Sequence, residues 1–330
     1  MDDVTSTPLR WGIVSTARIN EQVLPAFSVL PNASLEAVAS RDAGKAQEYA
    51  KRHQIPRWYG SYEALFDDSS IDCVYISTPN STHAQWTEKA LKSGKHVLCE
   101  KPLTPTSQEA KRLFDLAADN SMLLMEAFMY RHHPQTARAK DALIGGDIGD
   151  LQVIRMSFNF KTEDPATDVR YRPDLAGGAL LDVGSYCVSF SNFVMDSTPD
   201  EVGGLARMRS SGVEEGFVGH MRYGDLLAAF DCSLFTPLDI GITAVGSEGR
   251  LTVPTPWYPH LPPQQIIVER GEERRVVDCA GNNAYELEVA NFSSAVAGTA
   301  EPLISGHETL RNLETLERLA RAAGLTAKPE

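Results

Sequence analysis

Short apolar runs alternate with amphipathic stretches through the first 125 residues. Leu9–Val14, Leu35–Ser40, Cys73–Ile76, Val97–Cys99 and Met122–Met125 have strand length and sit between turn residues. Between them, Ile19–Leu30, Ala43–His53, Thr82–Lys92 and Ser107–Ala118 read as helices. Pro25 is expected to kink or shorten the first, the basic end of Ala43–His53 suits a helix C-terminus, and Gly94 fits a C-cap. Strands and helices alternating with short joints predict right-handed crossovers and a parallel sheet, hence a doubly wound α/β domain that binds a nucleotide.

The rhythm changes afterwards. A helix is expected over Pro134–Leu143, a turn over Gly145–Gly149, a strand over Leu151–Phe160 and a mostly apolar helix over Gly178–Met195. The runs Phe217–Tyr223, Leu226–Leu234, Ile240–Val245, Leu251–Val253, Gln265–Glu269 and Arg275–Val277 follow without helices between them, which predicts an antiparallel sheet. Helices over Tyr285–Ala297 and Ser305–Ala323 close the chain. The expected organisation is an α/β nucleotide-binding domain over residues 1–126 and an α+β domain with a large, mainly antiparallel open sheet over 127–330. The terminal helix is free to pack back on the first domain. An open sheet leaves a face to cover, so a homodimer or homotetramer is expected.

Composition narrows the function. Two domains suit a length of 330 residues. With 31 basic against 44 acidic residues the net charge is −13, which argues against nucleic acid or anionic lipid as partner. Cys73, Cys99, Cys187, Cys232 and Cys279 are scattered and form no CxxC pair, as expected of buried thiols in a reduced, cytoplasmic protein. The polar start MDDVTSTPLRW is no secretion signal, and no apolar run reaches membrane-span length. His132 and His133 lack an acid or cysteine at ligand spacing, so no metal is expected.

The turn after the first strand holds Ser15, Thr16, Ala17, Arg18 and Ile19. Glycines of a dinucleotide fingerprint would stand at Ser15, Ala17 and Asn20, so the pattern fails. Small side chains at 15 and 17 still permit close backbone approach, and a helix N-terminus still offers N–H groups to a pyrophosphate. At the second strand end, Ser40, Arg41 and Lys45 present a hydroxyl and two cations, which favours the 2′-phosphate of NADP over NAD. Asp42 is either a ribose ligand or a cap for the next helix. Thr78, Pro79 and Asn80 follow the third strand, and His83 enters the next helix, at the sheet end where ligands bind.

Asp182 and Tyr186 stand four residues apart in a predicted helix, so both point from one face. Lys101 lies in the run GKHVLCEKPL (94–103), just after its apolar stretch. A lysine, an acid and a tyrosine are what a dehydrogenase needs to move a proton while a nicotinamide moves the hydride, although each alone has a structural reading.

The motifs STPNSTH (77–83), GKHVLCEKPL (94–103), MEAFMYRHHP (125–134) and GGALLDVGSY (177–186) together resemble the glucose–fructose oxidoreductase/inositol dehydrogenase (GFO/IDH/MocA) family. Tyr186 stands where inositol dehydrogenases carry histidine, so the resemblance is to the tyrosine branch of dihydrodiol dehydrogenases, xylose dehydrogenases and keto-sugar reductases. It implies that Lys101 is catalytic or orients substrate, that Asp182 binds substrate and that Tyr186 donates or accepts the proton. It further implies that Thr78 and Glu100 approach the ribose and nicotinamide, and that Arg131, His132 and Arg172 line the site. The expected function is an NADP(H)-dependent oxidoreductase acting on a sugar, keto-sugar or cyclic diol. The alternative is a non-enzymatic NADP-sensing regulator on the same fold.

Overall fold

The computed structural model describes residues 8–279, 281 and 283–325; most of the polar start used above to argue against a secretion signal lies outside them. The chain forms two compact units. One comprises residues 8–104, 108–132 and 285–306, the other 105–107, 133–284 and 307–325.

The first unit holds a six-stranded, all-parallel sheet. Its strands are β1 (Leu9–Val14), β2 (Ala33–Ala39), β3 (Arg57–Tyr59), β4 (Cys73–Ile76), β5 (His96–Glu100) and β6 (Leu124–Ala127), in the order β3-β2-β1-β4-β5-β6. All four residues of β4 are buried, as both faces of a parallel sheet require. Pro25 divides the first helix into two single turns, α1 (Asn20–Val23) and α2 (Ala26–Val29). Helix α3 (Ala43–His53) starts where the Asp42 side chain accepts the Lys45 N–H at 3.0 Å, and ends in Lys51, Arg52 and His53 with left-handed Gln54 as C-cap. Helices α4 (Tyr62–Phe66), α5 (His83–Lys92) and α6 (Ser107–Asp119) follow. Helix α9 (Ala284–Val296) belongs to this unit from Tyr285 onward and sets Phe292 against Trp11 of β1, ring centroids 5.1 Å apart.

The second unit carries helix α7 (Pro134–Ile144), helix α8 (Ser185–Met195) and helix α10 (Gly306–Ala322) with an eight-stranded sheet. Its strands are β7 (Leu151–Lys161), β8 (Glu201–Met208), β9 (Glu214–Tyr223), β10 (Leu226–Ser233), β11 (Phe235–Gly246), β12 (Arg250–Val253), β13 (Gln265–Arg270) and β14 (Glu273–Asp278), in the order β14-β13-β12-β11-β7-β10-β9-β8. Every pairing is antiparallel except β7 with β10. Among the described residues no helix is long and apolar enough to cross a membrane, and all five cysteines are buried and free.

Helix α8 is buried almost all round, so its polar side chains must find partners inside. Asn192 does so completely. Its Oδ1 accepts the Tyr223 hydroxyl of β9 at 2.7 Å, and its Nδ2 donates to Asn312 Oδ1 of α10 at 2.9 Å. The expected cost of Asn192→Ala is about 3 kcal/mol, because two buried partners lose hydrogen bonds at once; urea unfolding of the purified variant checks it.

Candidate active site

Strand order reverses between β1 and β4, and ligands bind at the carboxyl ends of strands flanking such a reversal. Beyond β1, Ser15 takes φ = +117°, a conformation that glycine usually supplies. Side-chain hydrogen bonds hold it there. The Ser15 hydroxyl donates to Ser77 O at 3.1 Å and accepts the Ala17 N–H at 3.1 Å. Fully buried Asn20 donates to Ser15 O at 3.0 Å and accepts the Ser77 hydroxyl at 2.6 Å. Thr16, Ala17 and Ile19 are half-buried and Arg18 is exposed.

At the end of β2, Ser40 is buried, whereas Arg41 and Lys45 are exposed. Asp42 has one oxygen in the α3 cap. Beyond β4, Thr78 is buried and its Oγ1 accepts the Thr82 hydroxyl at 3.0 Å. Pro79 and Asn80 are half-buried. His83 is buried, with Nε2 2.7 Å from Thr78 O and Nδ1 2.8 Å from Pro102 O. Burial pushes its pKa down, while the two carbonyls pull it up. Both ring nitrogens thus face backbone, in a bridge between the end of β4 and the turn after Lys101.

That turn is bound by two carboxylates. Glu100 Oε1 accepts the Tyr75 hydroxyl at 2.5 Å, and Oε2 accepts the Lys101 N–H at 3.2 Å. Glu126 Oε1 accepts the Leu103 N–H at 2.8 Å. Lys101 itself is half-buried. Beyond β6, Arg131 is buried within a short turn, and burial, then the Arg131 charge, push His132 down to about 3.

In the second unit, Gly177 and Gly178 deliver the chain to the segment bearing Asp182. A β-carbon on Gly177 would stand 2.2 Å from Arg170 O, and one on Gly178, at φ = +124°, would stand 2.0 Å from Glu214 Oε1. Leu180–Gly184 is then wound as a π-helix before α8 begins, where a plain α-helix was expected. Arg170 Nε donates to Asp182 Oδ2 at 2.7 Å and its Nη1 to Asp168 Oδ2 at 2.9 Å, and the Asp182 charge first raises the guanidinium pKa. Arg172, the arginine picked out from the sequence, instead pairs with Asp174 and is largely exposed. The Tyr186 ring meets Phe158 edge-on at 5.0 Å and Trp257 at 5.8 Å. Tyr258 joins Phe158 edge-on at 5.7 Å; burial, then the Asp182 charge, raise its phenol pKa.

Residues 9–128 match the profile described as "Oxidoreductase family, NAD-binding Rossmann fold", and residues 136–252 match the "GFO/IDH/MocA C-terminal domain". The chain is 36% identical to "D-xylose 1-dehydrogenase (NADP(+)) 2" of Haloferax volcanii over 98% of its length and 99% of that protein. The chain belongs to the GFO/IDH/MocA family. It is also 31% identical to human trans-1,2-dihydrobenzene-1,2-diol dehydrogenase, over 96% of this chain and 98% of that one. Among solved structures, KijD10, a 3-ketoreductase from Actinomadura kijaniata in complex with NADP and TDP-benzene, superposes with a TM-score of 0.89 at 29% identity, covering 96% of this chain and 98% of that one.

In this GFO/IDH/MocA protein, Ser15, Ser40, Thr78, Glu100 and Lys101 all stand at the carboxyl ends of the parallel strands, and Asp182 and Tyr186 on one continuous helical segment. Arg170, Tyr258 and Tyr75 escaped the sequence reading. Arg170 shares its segment with Arg172, and no spacing rule separates the two. Gly178→Ala is expected to lower stability by about 2 kcal/mol or more through its backbone conformation and contact with Glu214, and to reduce turnover as Asp182 shifts. Thermal unfolding and steady-state rates of the variant check both.

Proposed function

We propose that this GFO/IDH/MocA oxidoreductase uses NADP(H) to interconvert a hydroxyl and a carbonyl on a sugar, keto-sugar or cyclic diol. The observation that carries this reading is the Arg170-bound carboxylate of Asp182 four residues before Tyr186, whose ring is fixed among aromatics. The full-length likeness to an NADP-dependent xylose dehydrogenase supports the substrate class.

The residues at the strand ends fit the cofactor. Ser40, Arg41 and Lys45 offer a hydroxyl and two cations to a 2′-phosphate, while Asp42 caps α3. Thr16–Ile19 would meet the pyrophosphate, and Thr78, Pro79, Asn80 and Glu100 the nicotinamide half. Bound NADP(H) supplies or takes up the hydride. Tyr186 gives a proton to the oxygen of the carbonyl being reduced, or takes one from the hydroxyl being oxidised. A free tyrosine titrates near ~10, so as a base at neutral pH it needs a stabilising cation. That is the role assigned to Lys101, together with holding the reacting oxygen. Asp182 accepts a neighbouring substrate hydroxyl, which suits a polyol.

The reading extends to assembly as a homodimer. Leu205 of β8, Val218 of β9 and Leu227 of β10 are 79%, 59% and 54% exposed on neighbouring strands of the large sheet. A second copy of the chain would cover them. Sedimentation velocity on the wild type and on Leu205→Glu checks this, with a dimer expected for the first and a shift toward monomer for the second.

Titration with NADPH and NADH, followed by nicotinamide fluorescence, is expected to show tighter binding of NADPH. Tyr186→Phe is expected to keep that binding and lose about 10²–10⁴-fold in turnover. Unchanged turnover would remove Tyr186 from the mechanism. Binding of both nucleotides with no turnover of any aldose, keto-sugar or cyclic diol would favour a regulator.

A further inference from the structure

Helix α9 carries an acid that the chemistry above leaves unused. Glu288 is 0% exposed, and among the described residues neither carboxyl oxygen has a hydrogen-bond partner. The titratable groups coupled to it are Glu100 of β5 and Tyr75 of β4; Tyr285, on its own helix, acts on Tyr75 as well. An ionised carboxylate buried without a partner costs more than its protonated form. Burial first, and the Glu100 charge second, hold the Glu288 carboxyl well above the usual carboxylate range. Glu100 is the opposite case. Both of its oxygens accept, one from the Tyr75 hydroxyl at 2.5 Å and one from the Lys101 N–H at 3.2 Å, which marks it as the ionised member.

We propose that Glu288 is the protonated partner of Glu100 in a buried acid pair, and a positioning residue for Lys101. Because Glu288 is neutral, Glu100 keeps a single negative charge to which the Tyr75 hydroxyl and the Lys101 backbone are fastened. Ionising Glu288 sets a second negative charge beside the first and loosens that fastening. The positioning role rests on the reading that Lys101 serves the reaction; the protonation of Glu288 does not.

The test separates the two parts. An unfolded glutamate titrates near ~4.3. Above that pH the native state keeps a proton that the unfolded state releases, so the native state loses stability with rising pH until Glu288 itself ionises. Glutamine is neutral throughout and escapes this loss. Thermal unfolding of the wild type and Glu288→Gln, without ligands, from pH about 4.5 to about 8.5, is expected to show a gap in Tm that widens in favour of the variant by several degrees. A gap independent of pH overturns the protonated pair. Glu288→Leu repeats the comparison should glutamine prevent folding.

The second readout is kcat against pH. The alkaline limb of the wild type is expected to move up by about one pH unit or more in Glu288→Gln, with kcat at neutral pH retained. An unmoved limb beside a widening Tm gap overturns the positioning role and leaves the pair. Absence of turnover in both proteins overturns the functional reading and the positioning role together, while the unfolding arm still decides the protonation.

Discussion

The hydrogen-bonded knot of Ser15, Asn20 and Ser77 is the constraint on which the first unit's working edge depends. It joins the ends of β1 and β4, the two strands between which the sheet reverses its order. Family glycines would solve this turn through conformational freedom. Here a serine at φ = +117° is held by its own hydroxyl, and a fully buried amide fills the space that a third glycine would leave open. Each side-chain polar atom of the knot has a partner, so side chains can replace glycines in a buried turn. The same edge carries the two carboxylates that brace the Lys101 turn. Its shape is therefore set by polar contacts, on top of an apolar sheet.

The second unit uses a different device. Two glycines let the chain pass the Arg170 carbonyl and the Glu214 carboxylate at distances no β-carbon permits. The following π-helical turn re-aims Asp182 before regular α-helix resumes, as such turns often do at functional sites. Arg170 then pairs with Asp182 and Asp168 together, one positive charge set between two negative ones. Phe158 of β7 and Trp257 pack edge-on against the Tyr186 ring, so acid and phenol are oriented by different neighbours.

Much of the fold was legible because burial in a parallel sheet writes continuous apolar runs. β1, β4 and α3 have the boundaries that their runs and caps predict. β3 escaped because it has three residues and is held by ion pairs, Arg57 to Asp68 among them, rather than by an apolar run. β8 escaped because Gly203 and Gly204 break any apolar alternation along it; in the sheet, the rings of His220 and Phe217 occupy the space their side chains would take. A family pattern pointed to Lys101, Asp182 and Tyr186. The partners that orient them did not follow from it, because Arg170 and Trp257 reach Asp182 and Tyr186 from other parts of the chain. Glu288 was equally hidden: one glutamate in a helix has no signature of burial until the sheet it packs on is known.

The closing of the first unit by α9 has a consequence for synthesis. The polypeptide leaves the ribosome from its N-terminus, and domains fold as they emerge. Trp11 is made first, and Phe292, which packs against it, follows 281 residues later. Throughout that interval the nascent sheet lacks one of its covers, and the indole has only its early neighbours, Phe27 among them, to pack against. Final closure of this unit thereby waits until residues 133–284 of the second unit have been made.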